Sequence, residues 1–192
     1  MKYSLTVLLS LVLFLGAYSP SRAQMQASQA SQDFKARQQQ KAQQYMSGLE
    51  KENQEFMNTL WGLGREEKIS AFRGFISKQY DKNCAFRKQM HEEQRAFFGK
   101  QLNANPNMQQ FMKEKMLSRI DQDYEEAKAF YAGKQEEDMA FLDGLLKDKS
   151  IDGQALNTKL QEFFKSQKAQ GQKFAEDQQQ KYNNRESLPG RQ

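Results

Sequence analysis

Cysteine is nearly absent from this chain. Of 192 residues only Cys84 carries a thiol, so no disulfide within the chain can hold the fold together. Valine does not occur at all after residue 23, and the same stretch holds four isoleucines (Ile69, Ile76, Ile120, Ile151) and two threonines (Thr59, Thr158). Strands draw on such β-branched residues, whereas the abundant Gln, Lys, Glu, Met, Leu and Ala are good helix formers. An all-α fold follows. Histidine occurs once, at His91, followed by Glu92 and Glu93. A zinc protease needs two histidines four apart around a glutamate, a hydrolase triad needs a base beside a nucleophile, and a di-iron bundle needs Glu-x-x-His pairs on facing helices. One histidine supplies none of these, and His91 reads as a solvated or interface residue.

Charge of one sign is also lacking in any block. The formal net charge of +5 falls to +3 once Lys2 and Arg22 are set aside with the first 23 residues, and the remaining lysines and arginines are interleaved with acids. Nucleic-acid binding draws on a basic stripe, so no nucleic-acid partner is expected. After Met25 no apolar run approaches the roughly 20 residues of a spanning helix.

The one long apolar run lies at the start. Lys2, the stretch Leu5–Ala17 and the small residues Ser21 and Ala23 have the layout of a secretory signal peptide cleaved after Ala23. Export to a periplasmic or extracellular space is the expectation. In an oxidising compartment an unpaired Cys84 has two readings, a buried structural thiol or a link between two subunits.

The remaining chain has a period. Phe56, Phe98 and Phe141 each stand four residues before a leucine (Leu60, Leu102, Leu145), and each is followed by a polar or glycine-bearing turn and a new apolar stripe. Such self-similarity marks one structural unit used repeatedly, here a long helix plus its turn. After a polar leader at 24–33, with Ser31 or Asp33 as helix cap, four helices are predicted across a bundle domain at 34–182. A tail at 183–192 is expected to be disordered. The first stripe runs Phe34, Ala42, Tyr45, Leu49, Phe56, Leu60 and Leu63 until Gly62 and Gly64 stop it. The second takes Ile69, Phe72, Ile76, Tyr80, Asn83, Phe86, Met90, Gln94 and Phe97 and ends at Leu102. Asn105 as cap and Pro106 in the first turn are predicted to start the third. That stripe takes Met108, Met112, Met116, Ile120, Tyr124, Ala127, Tyr131, Met139 or Asp138, Leu142 and Leu146. The fourth takes Leu156, Leu160, Phe163, Gln167, Gly171, Phe174 and Tyr182. Short turns force antiparallel neighbours, which predicts an elongated antiparallel bundle of about four long helices. Two splayed hairpins completed by a second subunit are the alternative.

Two clusters invite a chemical reading. Asp148, Ser150, Asp152 and Gly153 resemble the opening of an EF-hand calcium loop, but its twelfth position, which needs a bidentate glutamate, is Lys159. The residues are read as a capped turn, with no metal. Asp121, Asp123, Glu125 and Glu126, and again Glu136, Glu137 and Asp138, point in different directions around a helix and read as a solvated face. No catalytic residue, metal site or cofactor is expected, and the chain reads as non-enzymatic.

The aromatic pairs Phe97-Phe98, Phe130-Tyr131 and Phe163-Phe164 cannot all fit one narrow stripe, because consecutive helical residues lie about 100° apart. A wide buried face would absorb them; otherwise they join Met108, Met112 and Met116, a soft row suited to varied apolar partners, in a partner-binding surface. In size, mild basicity and helical hairpins the chain resembles the periplasmic Skp/OmpH chaperones, although Gln24–Phe34 lacks the strand pattern with which those begin. The resemblance implies a holdase for unfolded protein clients. A lipid-surface binder, of the kind exchangeable apolipoproteins are, and a self-associating envelope protein are the alternatives.

Overall fold

The computed structural model describes residues 29–186, all of whose regular structure is helical: α1 (Gln29–Thr59), α2 (Arg65–Asn103), α3 (Gln110–Lys147) and α4 (Gly153–Glu186). The fold is an all-α helical bundle. The predicted signal peptide with its cleavage point, the leader before residue 29 and the end of the tail lie outside the described residues.

The repeat resolves into helix plus turn. Phe56, Phe98 and Phe141 fall in the closing turns of α1, α2 and α3, and the three leucines four positions on are all buried. A buried leucine thus stands at or just past the end of each of these three helices.

Several predicted boundaries move. α1 begins at Gln29, not after Asp33, because nothing in Gln29–Asp33 opposes a helix and the Gln29 side-chain amide donates to Asp33 Oδ1 at 2.8 Å, one turn on. Ser31 and Asp33 are therefore interior residues, not caps. α3 begins at Gln110 instead of Pro106: Asn105 turns its carboxamide oxygen onto the Asn107 N–H at 3.1 Å, closing a local turn rather than capping a helix. α4 continues to Glu186, taking in the first residues assigned to the tail. Between α1 and α2, Gly62 has φ +82° and turns the chain, whereas Gly64 is extended. Glu67 accepts the Gly64 N–H at 3.0 Å and satisfies one of the amides exposed at the start of α2. No atom would meet a Cβ at Gly62, so Gly62→Ala costs only its backbone strain. A loss of about 1 kcal/mol is expected in thermal denaturation; an unchanged midpoint would show that the turn can be made another way.

The chain divides into two compact units. One unit, Gly62–Ile151, is the α2/α3 hairpin. Its register is fixed by cross-helix pairs. Arg65 reaches Asp148, Arg73 pairs with Asp143, Arg87 lies over Tyr131, and His91 and Arg95 both meet Asp121. As one partner's number rises the other's falls, so the helices are antiparallel. The hairpin buries Ile69, Phe72, Ile76, Met90 and Leu102 on α2 and Ile120, Leu142 and Leu145 on α3. Leu145 takes the inward place predicted for Leu146, which is half-buried. The other unit combines the chain up to Trp61 with the chain from Asp152 and contains α1 and α4. Within it α1 buries Gln38, Ala42, Leu49 and Asn53, and α4 buries Leu156, Leu160, Phe164 and Gly171. The inward aromatic of α4 is Phe164, where the stripe predicted Phe163.

Candidate functional site

At the closed end of the α2/α3 hairpin, the last turns of α2 and the first turns of α3 are joined by residues 104–109. The α2 end is held by the Ala104 N–H on the Lys100 carbonyl at 3.1 Å and the Asn105 N–H on the Leu102 carbonyl at 3.2 Å. α3 starts without a side-chain cap and without an acid in its first turn. This tip carries five of the predicted surface residues: Phe97, Phe98, Met108 and Met116 are half-buried, and Met112 is 38% exposed. The register that joins Arg95 to Asp121 brings Phe97 and Phe98 level with the turn around Met116. The two phenylalanine rings meet edge to face at 5.4 Å, a geometry that favours their aromatic quadrupoles. Beside Met112 stands Phe111, 66% exposed and absent from the stripe reading. The signal for it was present. Phe111-Met112 is another adjacent apolar pair, and such a pair must put one member outside a narrow stripe.

The structure does not bring the other predicted residues to the tip. Phe130 and Tyr131 lie midway along α3, half-buried, with ring centroids 5.1 Å apart. The Arg87 guanidinium sits 3.8 Å over the Tyr131 ring and the Lys134 ammonium 5.7 Å from the Phe130 ring, so both already face cations of their own hairpin. Phe163 and Phe164 belong to the α1/α4 unit. Phe164 is only 6% exposed, which removes it from any accessible surface. Among the described residues the most exposed large apolar side chain is that of Trp61, at 82%, in the turn after α1. It precedes the left-handed Gly62 that throws the chain out of the helix, and sequence reasoning missed it.

The middle of the hairpin is polar. His91 Nε2 lies 2.9 Å from Asp121 Oδ1, and its ring stacks on Tyr124 with centroids 4.2 Å apart. Arg95 Nε donates to both oxygens of the same carboxylate, at 2.9 and 3.1 Å. His91 is thus a helix-interface residue, and Asp121 joins two helices instead of serving a solvated face. Tyr80 donates its hydroxyl to the half-buried Cys84 one turn on; with burial, this hydrogen bond pushes the phenol up to about 12. Asp138 is the largest departure from the solvated-face reading. It is 7% exposed, its Oδ1 has no hydrogen-bond partner, and loss of water raises its carboxyl to about 7. Lys134, one turn earlier, draws the group back toward ionisation and Glu137 opposes it.

The acids of the calcium-like turn are engaged locally. Asp148 Oδ1 accepts from the Ser150 N–H at 3.1 Å and from its hydroxyl at 2.5 Å. The neighbouring Asp148 and Ile151 carbonyls accept from Arg65 at 2.6 and 2.7 Å, so a guanidinium already supplies the positive charge there. Among the described residues no group of three or more His, Cys, Asp or Glu side chains is placed to hold a metal ion. None of the described helices is long and apolar enough to cross a membrane. Compared with protein-family models, curated proteins and solved structures, the chain matches none.

Proposed function

We propose that this chain is an exported, non-enzymatic protein-binding protein of the holdase kind, which shields apolar segments of unfolded polypeptides at the tip of its α2/α3 hairpin. The observation that carries this reading is the exposure of Phe111 and Met112 beside the half-buried Phe97, Phe98, Met108 and Met116. Unbranched methionines and edge-on phenylalanines adapt to differently shaped apolar side chains, which suits a partner without fixed structure. Both helices continue for many turns beyond the tip, giving it a stiff support.

The test is light scattering of a urea-unfolded outer-membrane-type protein diluted into buffer with and without the chain. A discrete complex and suppressed aggregation are expected. Phe111→Ser with Met112→Ser should weaken capture about tenfold or more, since each apolar side chain lost from a contact forfeits about 1–2 kcal/mol. Both residues are exposed, so helix content and the melting midpoint should stay unchanged. A chain that leaves aggregation unaffected would remove the reading. In that case, binding to anionic vesicles would move the function to a membrane surface, and concentration-dependent oligomers would move it to envelope assembly.

A further inference from the structure

The hairpin's charge is divided unevenly along its length. Between residues 95 and 121 stand five basic residues, Arg95, Lys100, Lys113, Lys115 and Arg119, against two acids, Glu114 and Asp121, the second of them paired with Arg95. The rest of the unit, 62–94 and 122–151, carries eleven basic residues against thirteen acidic ones. The tip is therefore a positive end on a negative stem, although the whole chain is only mildly basic. Lys100 and Lys115 are exposed and Lys113 half-exposed, alongside Phe111 and Met112. The uncapped, acid-free first turn of α3 adds the positive end of a helix dipole to the same region. Apolar side chains and positive field thus share one end of one unit.

We propose that the tip selects polypeptide segments in which apolar side chains are accompanied by net negative charge. This rests on the protein-binding reading above and names the class of partner. An acidic segment gains Coulomb attraction along with apolar burial, and a basic segment of equal apolarity is repelled. Long-range attraction between complementary charges raises the encounter rate and weakens with salt. The acidic excess of the stem lies on its α3 arm, where 122–151 holds eight acids against four basic residues, and it disfavours acidic clients along that arm.

Three labelled peptides of identical apolar content, with net charges of about −4, 0 and +4, would be titrated with the full chain by fluorescence anisotropy at low and at raised salt. The acidic peptide should bind about tenfold or more tighter than the basic one at low salt, with the gap closing as salt screens it. Lys100→Gln with Lys115→Gln alters two exposed side chains and should lose most of that discrimination while keeping the neutral peptide. Phe111→Ser with Met112→Ser should weaken all three. Equal, salt-insensitive binding of the three peptides would overturn the charge selection and leave the holdase reading standing. Binding of none, with capture by phosphatidylcholine vesicles only when phosphatidylglycerol is included, would overturn both and assign the tip to an anionic membrane. Light scattering of the chain alone closes the test. If it shows oligomers that disperse in salt and in the Lys100→Gln, Lys115→Gln variant, the occupant of the tip is the acidic stem of a second copy, which would also overturn the proposal.

Discussion

Replacing Asp138 by asparagine is expected to stabilise the chain at neutral pH and to flatten its stability profile between about pH 4 and pH 7. The carboxyl titrates near 3.8 when unfolded and near 7 in the folded chain, because burial removes the water that would solvate its charge. Between those values the folded state keeps a proton that the unfolded state has lost. The unfolded state binds fewer protons, so stability falls as pH rises through this window. It is unaffected by this group below about 3.8 and has lost the full contribution above about 7. Three pH units correspond to at most about 4 kcal/mol.

The groups around Asp138 fit this direction. On α3, Lys134 pulls the pKa down but is itself paired with Glu137, whose own charge pushes the pKa up. Across the hairpin the register places Ile76, Gln79, Tyr80 and Asn83 at this level of α2. Of these only Tyr80 titrates, and its phenol is neutral far beyond this range. Urea denaturation of wild type and Asp138→Asn at pH 4.5 and pH 8 gives the test. The variant should be close to wild type at the lower pH and more stable by several kcal/mol at the higher. Asp138→Leu should do at least as well, since it also removes the unpaired Oδ1. Parallel profiles for the three proteins would mean that the carboxyl ionises freely in the folded state.

Asp138 also marks where the sequence stopped being legible. Helix number, helix length and most of the inward residues follow from spacing, because an apolar residue every three or four positions can be buried only along one side of a helix. Leu60, Leu102 and Leu145 recur at the helix ends and are buried there, as the repeat requires. The acids at 136–138 form an unbroken polar run, and spacing offers Asp138, four places before Leu142, only as an alternative to Met139 in the inward stripe. Turns were read less well, since Asn105 has two local uses, helix cap or side-chain turn, that differ little in energy and leave the same residue types behind. The tip aromatics were legible as adjacent pairs. Which member of a pair would be exposed depends on the helix opposite, so Phe111 and Phe164 could not be assigned before the packing was known.

Arg65→Ala is expected to destabilise the α2/α3 hairpin by about 3 kcal/mol. Helix α3 ends without enough partners for its last carbonyls, the general condition of helix C-termini. Arg65, the first residue of α2, answers that need from across the hairpin. Its Nε donates to the Ile151 carbonyl at 2.7 Å, and its Nη2 donates to Asp148 at 2.6 Å and to Leu145. The positive charge also faces the negative end of the α3 dipole. A net value of about 1–2 kcal/mol for each charged hydrogen bond, reduced by partial exposure, gives the stated total. Arg65→Lys keeps the charge but not the planar fork that reaches three carbonyls, and should recover less than half of the loss. Denaturation measures the total, and amide exchange locates it: protection should fall first in the last turns of α3 and in 148–151, while the tip keeps its protection. If Arg65→Ala lies within about 0.5 kcal/mol of wild type, water replaces the guanidinium without cost. The apolar contacts of Ile69, Leu142 and Leu145 would then be what closes this end of the hairpin.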